Sequence, residues 1–348
     1  MGMREIIIVV NHGSDGIKEY FKCGQDFGVN ITYVNQIDKK GTGGALYSAK
    51  KHIHNDDVFM VINGDCIVHY NDMIRLFCQK KPAMGVVRSN HPEEYGVIEI
   101  DGNFTEGGLL IGINEKPLIP ADNMINAGVY LFDKRIFDYL DRTKESSRGE
   151  YELTDAVMMY TKSCGMSCVP IYNWINVEHP WDLLDANRII MSNENETVYG
   201  NNVKIHSGCT IEYPCIIGDD CEIGPNAYIR KYTSIGNNCK IGNCVEVKNS
   251  IIMDNTHIPH LSYVGDSIIG RNCNLGAATI IANLRHDDDN VTVMGVNTGR
   301  RKFGVVIGDN AKIGINCSFD PGTVVESNGR IPPHTYVSKK YSGKSCVE

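Results

Sequence analysis

Large aliphatic residues recur at every sixth position through the second half of the chain. They stand at Ile205, Ile211, Ile217, Ile223, Ile229, Ile235, Ile241, Val247 and Met253. The pattern returns at Ile269, Leu275 and Ile281, and again at Ile307, Ile313, Phe319 and Val325. Gly often follows the aliphatic, as at Gly218, Gly236, Gly242 and Gly270. Four residues after each aliphatic sits a small residue, such as Cys215, Cys221, Ala227, Thr233, Cys239, Cys273 or Ala311. A helix of about 3.6 residues per turn does not generate a six-residue period. A short strand plus a tight turn, three times per coil, does. The aliphatic then points into a triangular core, and residues from about 200 to 340 read as a parallel β-helix. Gly at the corner supplies backbone angles closed to other residues.

The rhythm breaks twice. Between Met253 and Ile269 the phase slips, which sets His257, His260 and Tyr263 beside the coil. Between Ile281 and Ile307 a polar excursion carries Arg285, Arg300, Arg301 and Lys302, four cations suited to phosphate. Loops that leave a stiff solenoid tend to carry function.

The first half alternates strands with helices. Strands are expected at 5–10, 29–34 and 58–63, and helices near 16–22 and 45–53. This is an α/β pattern with ligands at strand C-termini. Gly41-Thr42-Gly43-Gly44 precedes a helix and suits a phosphate or nucleotide, though such turns are common. Asp65 follows a buried strand, where it either binds Mg²⁺ or caps the next helix. Residues 182–198 read as a linking helix, so the expected domains are 1–196 and 197–348.

Length and charge narrow the setting. The 348 residues suffice for two ordinary domains. A net charge of −8 argues against nucleic acid and anionic membranes as partners. No apolar run approaches the ~20 residues of a membrane helix. Met1-Gly2-Met3-Arg4-Glu5 leads straight into a strand, without the look of a signal peptide. Thirteen cysteines, an odd number, then favour a reduced, cytoplasmic setting. Six of them, Cys209, Cys215, Cys221, Cys239, Cys273 and Cys317, fall at the small inward position, where thiols act as small hydrophobes. Cys164 and Cys168 lack a second pair to make a metal site.

One set of strings carries a resemblance. Val245-Glu246-Val247-Lys248-Asn249, then Pro259-His260-Leu261-Ser262-Tyr263-Val264-Gly265-Asp266, then Asn274-Leu275-Gly276-Ala277 and Asn283 resemble the acetyltransferase domain of bifunctional UDP-N-acetylglucosamine-synthesising enzymes. The resemblance implies a left-handed β-helix, with His260 as general base toward the amine that attacks acetyl-CoA. It implies Arg230 and Lys248 on the sugar phosphate, Tyr263, Asn274 and Asn283 on the sugar, and Ala277 in the acetyl-CoA region. A neutral His suits proton abstraction near cellular pH. The alternative for His260 is a corner residue with a packing role. Bacterial members have Tyr after the matching Asn, whereas Leu284 and Arg285 stand here, and the long Arg-rich loop resembles that of archaeal members. A related amino sugar thus remains open. Family members form homotrimers, so a trimer is implied.

A second set resembles sugar-1-phosphate nucleotidylyltransferases: Gln36, Gly41-Thr42-Gly43-Gly44, Gly64-Asp65, Tyr95-Gly96-Val97, Glu115-Lys116-Pro117, Asn126-Ala127-Gly128 and Trp174-Ile175-Asn176. It implies a Rossmann-like fold, with Gln36, Gly41 and Thr42 at the base and Asp65 and Asn176 holding Mg²⁺. Gly96, Glu115 and Asn126 would face the sugar, and Lys116 its phosphate, with UTP as nucleotide donor. The family's opening strand and its Gly-rich loop bearing Gly-Thr-Arg are not among these residues. The α/β domain therefore reads as N-terminally incomplete, and weak nucleotidyl transfer is expected of the chain as written.

The leading expectation is CoA-dependent N-acetylation of glucosamine-1-phosphate, coupled in the family to uridylyl transfer. Two alternatives stand beside it. One is a sugar-1-phosphate nucleotidylyltransferase with a purely structural or regulatory β-helix. The other is a non-catalytic scaffold subunit.

Overall fold

The computed structural model describes residues 2–37, 39–54, 58–79, 82–192 and 196–342. The chain forms two compact units, Met1–Trp174 and Ile175–Glu348. Helix Asp182–Met191 lies in the second unit. That helix is shorter than the expected 182–198, and residues 193–195 lie outside the described set. Among the described residues no helix is long and apolar enough to cross a membrane.

The first unit is α/β. Its strands are β1 (Glu5–Val10), β2 (Asn30–Asn35), β3 (Val58–Ile62), β4 (Cys66–Val68), β5 (Ala83–Arg88), β6 (Gly96–Asn103), β7 (Gly107–Glu115), β8 (Met124–Asp133) and β9 (Ser167–Pro170). Its helices are α1 (Ser14–Phe21), α2 (Gly41–Ser48), α3 (Tyr70–Phe77), α4 (Ile136–Leu140) and α5 (Leu153–Cys164). Six strands form one sheet in the order β3-β8-β5-β9-β7-β6, while β1 and β2 pair in parallel as a separate ribbon. Central β5 and β8 are nearly continuous apolar runs, as expected of strands covered on both faces. Leu46, Phe132, Phe137, Leu153, Val157 and Tyr160 fill the space between sheet and helices. The helix expected from residue 45 starts at Gly41, inside the Gly run. Only Gly fits at position 43, since a Cβ there would stand 2.7 Å from the Tyr151 carbonyl oxygen.

The second unit is a left-handed parallel β-helix, with three sheets of eight, seven and seven strands. Face A runs through Cys215–Ile217, Thr233–Ile235, Ile251–Ile252 and Ile268–Ile269. Face B runs through Glu222–Ile223, Lys240–Asn243, His257–His260 and Asn274–Leu275. Face C runs through Tyr228–Ile229, Glu246–Lys248, Tyr263–Gly265 and Ile280–Ile281. The expected aliphatics and small residues form one buried column, with Cys215, Cys221, Cys239, Cys273 and Cys317 as free thiols inside it. Ile205, in the first coil, is 48% exposed.

Three expectations change. The first break is no interruption. Ile252, Ile258 and Val264 are the buried residues there, and Met253 packs outside the column. The steps Val247 to Ile252 and Val264 to Ile269 are simply five residues long. Second, most of the Gly residues do not take left-handed angles. A Cβ at Gly218 would stand 2.8 Å from the Gly236 carbonyl carbon on the next coil, so close stacking excludes a side chain. The left-handed corners belong instead to residues such as Asn238 (φ 54°), Asn255 (φ 58°) and Asn272 (φ 56°). Asn tolerates that region better than most L-residues, which explains the Asn-rich composition.

Third, the polar excursion has a buried underside. Val291, Val293 and Phe303 form an apolar cluster with Trp181, Leu184 and Ile268. A small hairpin, Thr292–Val293 against Val296–Asn297, turns within it. Together with α6 (Asp182–Met191) it covers the outward aliphatics Ile251, Ile268, Val306 and Val324 of face A. The cations expected to hold phosphate are largely spent on this fold. Arg285 pairs with Asp287, Arg301 with Asp288 and Arg300 with Asp185 of α6. Of the four, Lys302 alone has no acidic partner among the described residues.

Candidate active sites

Strand alternation builds the β-helix site. Ile229, Val247 and Val264 point inward and are stacked in register, so their neighbours Tyr228, Arg230, Glu246, Lys248 and Tyr263 point outward on face C. Arg230 and Lys248 stand one coil apart, about 4.8 Å along the stack. Arg230 Nη1 donates to Glu246 at 3.2 Å, and Arg230 Nε is buried without a hydrogen-bond partner among the described residues. Lys248 Nζ donates to Asp266 at 3.0 Å. Asn283 Nδ2 reaches both the Tyr263 hydroxyl at 3.1 Å and Asp266 at 2.5 Å. Burial, and after it the Asp266 charge, pushes the Tyr263 phenol above its ordinary value. It is a neutral hydrogen-bonding group.

Gly265 makes that closure possible. It lies in register with Lys248, and a Cβ on it would stand 2.5 Å from the Tyr263 hydroxyl and 2.7 Å from Asn283 Nδ2. Neither Gly265 nor Asp266 stood out as a functional residue in the sequence, though both sit in the string that carried the resemblance. Nor did Glu246, Asn249 or Arg188. Arg188 Nε donates to Asn249 Oδ1 at 3.0 Å, which joins α6 to this network.

The structure does not gather all the expected residues on this face. Asn274 stands on face B, between His257 and Lys312. His260 ends a face-B strand at the corner before face C. Its carbonyl accepts from Ser262 Oγ at 2.7 Å and Ala278 N at 3.2 Å, so its backbone is fixed. Its imidazole is exposed and makes no hydrogen bond or ion pair with the described residues. Ala277 lies at the same corner one coil further on, and its carbonyl accepts from Asn316 N at 2.8 Å.

In the first unit the expected residues converge through sheet pairing. Gly96 is paired with Glu115, and Val97 with Ile125, which brings Asn126 alongside. A Cβ on Gly96 would stand 3.0 Å from Glu115 Oε2. Glu115 accepts from Thr154 at 3.3 Å and faces Arg148 at 3.6 Å, while Arg148 also pairs with Glu152 at 3.0 Å. Leu153 N donates to Thr42 Oγ1 at 3.2 Å, so residues 148–154 tie the Gly-rich turn to Glu115 and its neighbours. Sequence reasoning missed Arg148, Glu152 and Thr154. The only signal was the charged string Arg148-Gly149-Glu150-Tyr151-Glu152.

Other side chains at this site are occupied structurally. Gln36 Nε2 donates to the carbonyls of Lys39 and Gly41, which shapes the turn. Asn126 Nδ2 donates to the Tyr130 hydroxyl at 2.6 Å, and burial raises that phenol's pKa. Lys116 is exposed, with φ 44°. Asp65 is exposed in the turn between β3 and β4 and does not cap a helix, since the cap of α3 is His69. Beside it, burial pushes the Cys66 thiol up to about 12. Asn176 closes the short strand Trp174–Asn176. Among the described residues no group of three His, Cys, Asp or Glu side chains is arranged to hold a metal. Cys164 and Cys168 are free thiols.

An α/β nucleotide-type unit followed by a hexapeptide β-helix, each with its own polar cluster, defines a two-unit transferase. The Nucleotidyl transferase family model matches residues 1–193, and the GMPPB C-terminal domain model matches residues 211–300. A "Bifunctional protein GlmU" of Methanocaldococcus jannaschii is 43% identical over 343 residues, 93% of this chain and 81% of that one. Another, of Methanococcus maripaludis, is 42% identical over 99% of this chain and 86% of that one. A "Bifunctional sugar-1-phosphate nucleotidylyltransferase/acetyltransferase" of Sulfurisphaera tokodaii is 36% identical over 97% of this chain and 86% of that one. The chain belongs to the family of bifunctional sugar-1-phosphate nucleotidylyltransferase/acetyltransferase enzymes.

Proposed function

We propose that the β-helix N-acetylates glucosamine-1-phosphate or a related amino-sugar-1-phosphate with acetyl-CoA. In the family this step is coupled to uridylyl transfer from UTP, giving UDP-N-acetylglucosamine. The observation that carries the reading is the cluster of Arg230, Lys248, Tyr263 and Asn283 on one face, with an exposed imidazole at the His260 corner that has no partner among the described residues. Arg230 and Lys248 offer two cations to one phosphate. Tyr263 and Asn283 offer neutral polar groups to the sugar, and Asn274 joins them from the adjoining face. His260 Nδ1 or Nε2 takes the proton as the amine nitrogen attacks the thioester carbon. The thiolate of CoA then leaves, and Ala277 lines the acyl-carrier side. A general base of this kind contributes about 10²–10⁴ in rate. A homotrimer, with neighbouring copies completing each site, fits the division of these residues between two faces.

For the first unit the reading assigns the base to Gln36, Gly41 and Thr42, the sugar to Gly96, Glu115 and Asn126, and its phosphate to Lys116. Asp65 and Asn176 would hold Mg²⁺. The exposed Asp65 carboxylate, which has no ion-pair partner among the described residues, and an amide oxygen are hard donors that suit this ion. When bound, the metal supplies charge neutralisation at the α-phosphate.

Release of CoA thiol from acetyl-CoA with glucosamine-1-phosphate tests the proposal, on wild type and on His260→Ala. Absence of release from the wild type sinks it. One finding favours a second reading: residues 211–300 match the GMPPB C-terminal domain model. A β-helix serving only assembly or regulation of a nucleotidylyltransferase predicts no thiol release and no effect of His260→Ala.

A further inference from the structure

We infer that Asp266 is a positioning residue of the acetyl-transfer site, holding Lys248 and Asn283 where they meet the sugar phosphate. The inference rests on the acetyl-transfer reading above. Asp266 is a carboxylate with 5% side-chain exposure at a corner of the β-helix. Its Oδ2 accepts from Lys248 Nζ at 3.0 Å and from Asn283 Nδ2 at 2.5 Å, and its Oδ1 accepts from Asn249 Nδ2 at 2.6 Å. Lys248 and Asn249 lie one coil before it and Asn283 one coil after. One carboxylate thus joins three successive coils.

The fold itself does not call for a charge here. Asp266 has φ 51°, the left-handed corner angle that Asn238, Asn255 and Asn272 adopt without a carboxylate. The backbone stack is complete around it: Asp266 N donates to Lys248 O at 2.8 Å, and Gly304 N donates to Asp266 O at 2.9 Å. An Asn would satisfy the corner, fill the same volume and keep the backbone bonds. What it would not do is hold the Lys248 ammonium, which has four rotatable bonds and no other acidic partner among the described residues. It would also present an amide N–H or a weaker acceptor to Asn283, loosening the bond by which Asn283 reaches across to the Tyr263 hydroxyl. A buried charge with such partners is expected where geometry must be kept ready for a ligand.

Asp266→Asn is therefore close to an isosteric test. The KM for glucosamine-1-phosphate should rise about tenfold or more. The KM for acetyl-CoA and kcat at saturating sugar should stay within about threefold, because the thioester side is untouched. A purely structural role would shift the unfolding midpoint without this split between the two substrates. In a double-mutant cycle, Asp266→Asn should add little to Lys248→Met, since the two act as a unit. Calorimetric titration of glucosamine-1-phosphate into both proteins keeps the outcomes apart. Wild-type acetyl transfer with an unchanged sugar KM in Asp266→Asn, or an additive cycle, overturns the inference alone. A wild type that neither turns over nor binds the sugar phosphate overturns the acetyl-transfer reading and the inference together. Should Asp266→Asn not fold, Asp266→Ser removes the same carboxylate at a corner a small polar residue tolerates, and the same split is expected of it.

Discussion

Side chains that meet within the stacked coils of the β-helix are mostly one coil apart. Those that meet in the α/β unit are separated by arbitrary stretches of chain. Lys248 and Asn283 bond Asp266 across 18 and 17 residues. Thr154 reaches Glu115 across 39 residues, and Leu153 reaches Thr42 across 111. In the solenoid, sequence distance converts almost directly into position, because each coil contacts only its neighbours. In the sheet unit, crossovers decide which strand ends come together. A change in the first region should therefore act locally, while one in the second acts through a core shared by sheet and helices.

The sharpest way to break this comparison is at His260. His260→Ala should cut acetyl transfer about 10²–10⁴-fold, with little change in either KM, read as thiol release. A loss below tenfold would move the chemistry away from the repeat.

Next in size is the core. Ile258 and Ile98 are both fully buried, one in each unit. Each Ile→Ala change should cost about 2–5 kcal/mol. Hydrogen exchange followed by mass spectrometry should find the lost protection of Ile258→Ala confined to coils near residue 258. That of Ile98→Ala should spread across the six-stranded sheet. Equal spreading in both would contradict the local picture.

Corners come third. Asn238→Ala at φ 54° should cost about 1–2 kcal/mol in thermal unfolding, and Asn238→Gly close to nothing. If the two variants melt alike, corner strain is not what selects Asn. The smallest effect is expected at Arg301, 62% exposed in its pair with an equally exposed Asp288. Arg301→Ala should lower stability by at most about 1 kcal/mol, measured by urea titration, because solvent screens such pairs.

The repeat and most of its inward column could be read directly, since six-residue spacing leaves one way to bury an aliphatic in every strand. Met253 was misassigned because a side one residue shorter keeps the coil closed while moving the inward position to Ile252. Gly218 and its equivalents were recognised for the wrong reason, as a period cannot tell a strained corner from a close coil-to-coil approach. The excursion at 282–303 looked polar because Val291, Val293 and Phe303 are spaced by a hairpin rather than by the repeat. Its arginines looked free because Asp185, Asp287 and Asp288 had no visible relation to them. Gly96, Glu115 and Asn126 came from a resemblance, and their meeting through β6, β7 and β8 was not legible in any spacing.

By itself, the sequence determined that an α/β unit precedes a parallel β-helix and which residues fill most of the column. Those follow from local period and side-chain chemistry. Only the tertiary structure decided that Asp266 gathers Lys248, Asn249 and Asn283, that Gly265 leaves room for Tyr263 and Asn283 to close, and that residues 148–154 meet the Gly-rich turn. The physical reason is the same in each case. A hydrogen bond is satisfied by whatever lies within about 3 Å, and stacking and crossovers, not neighbourhood in the chain, determine what lies there.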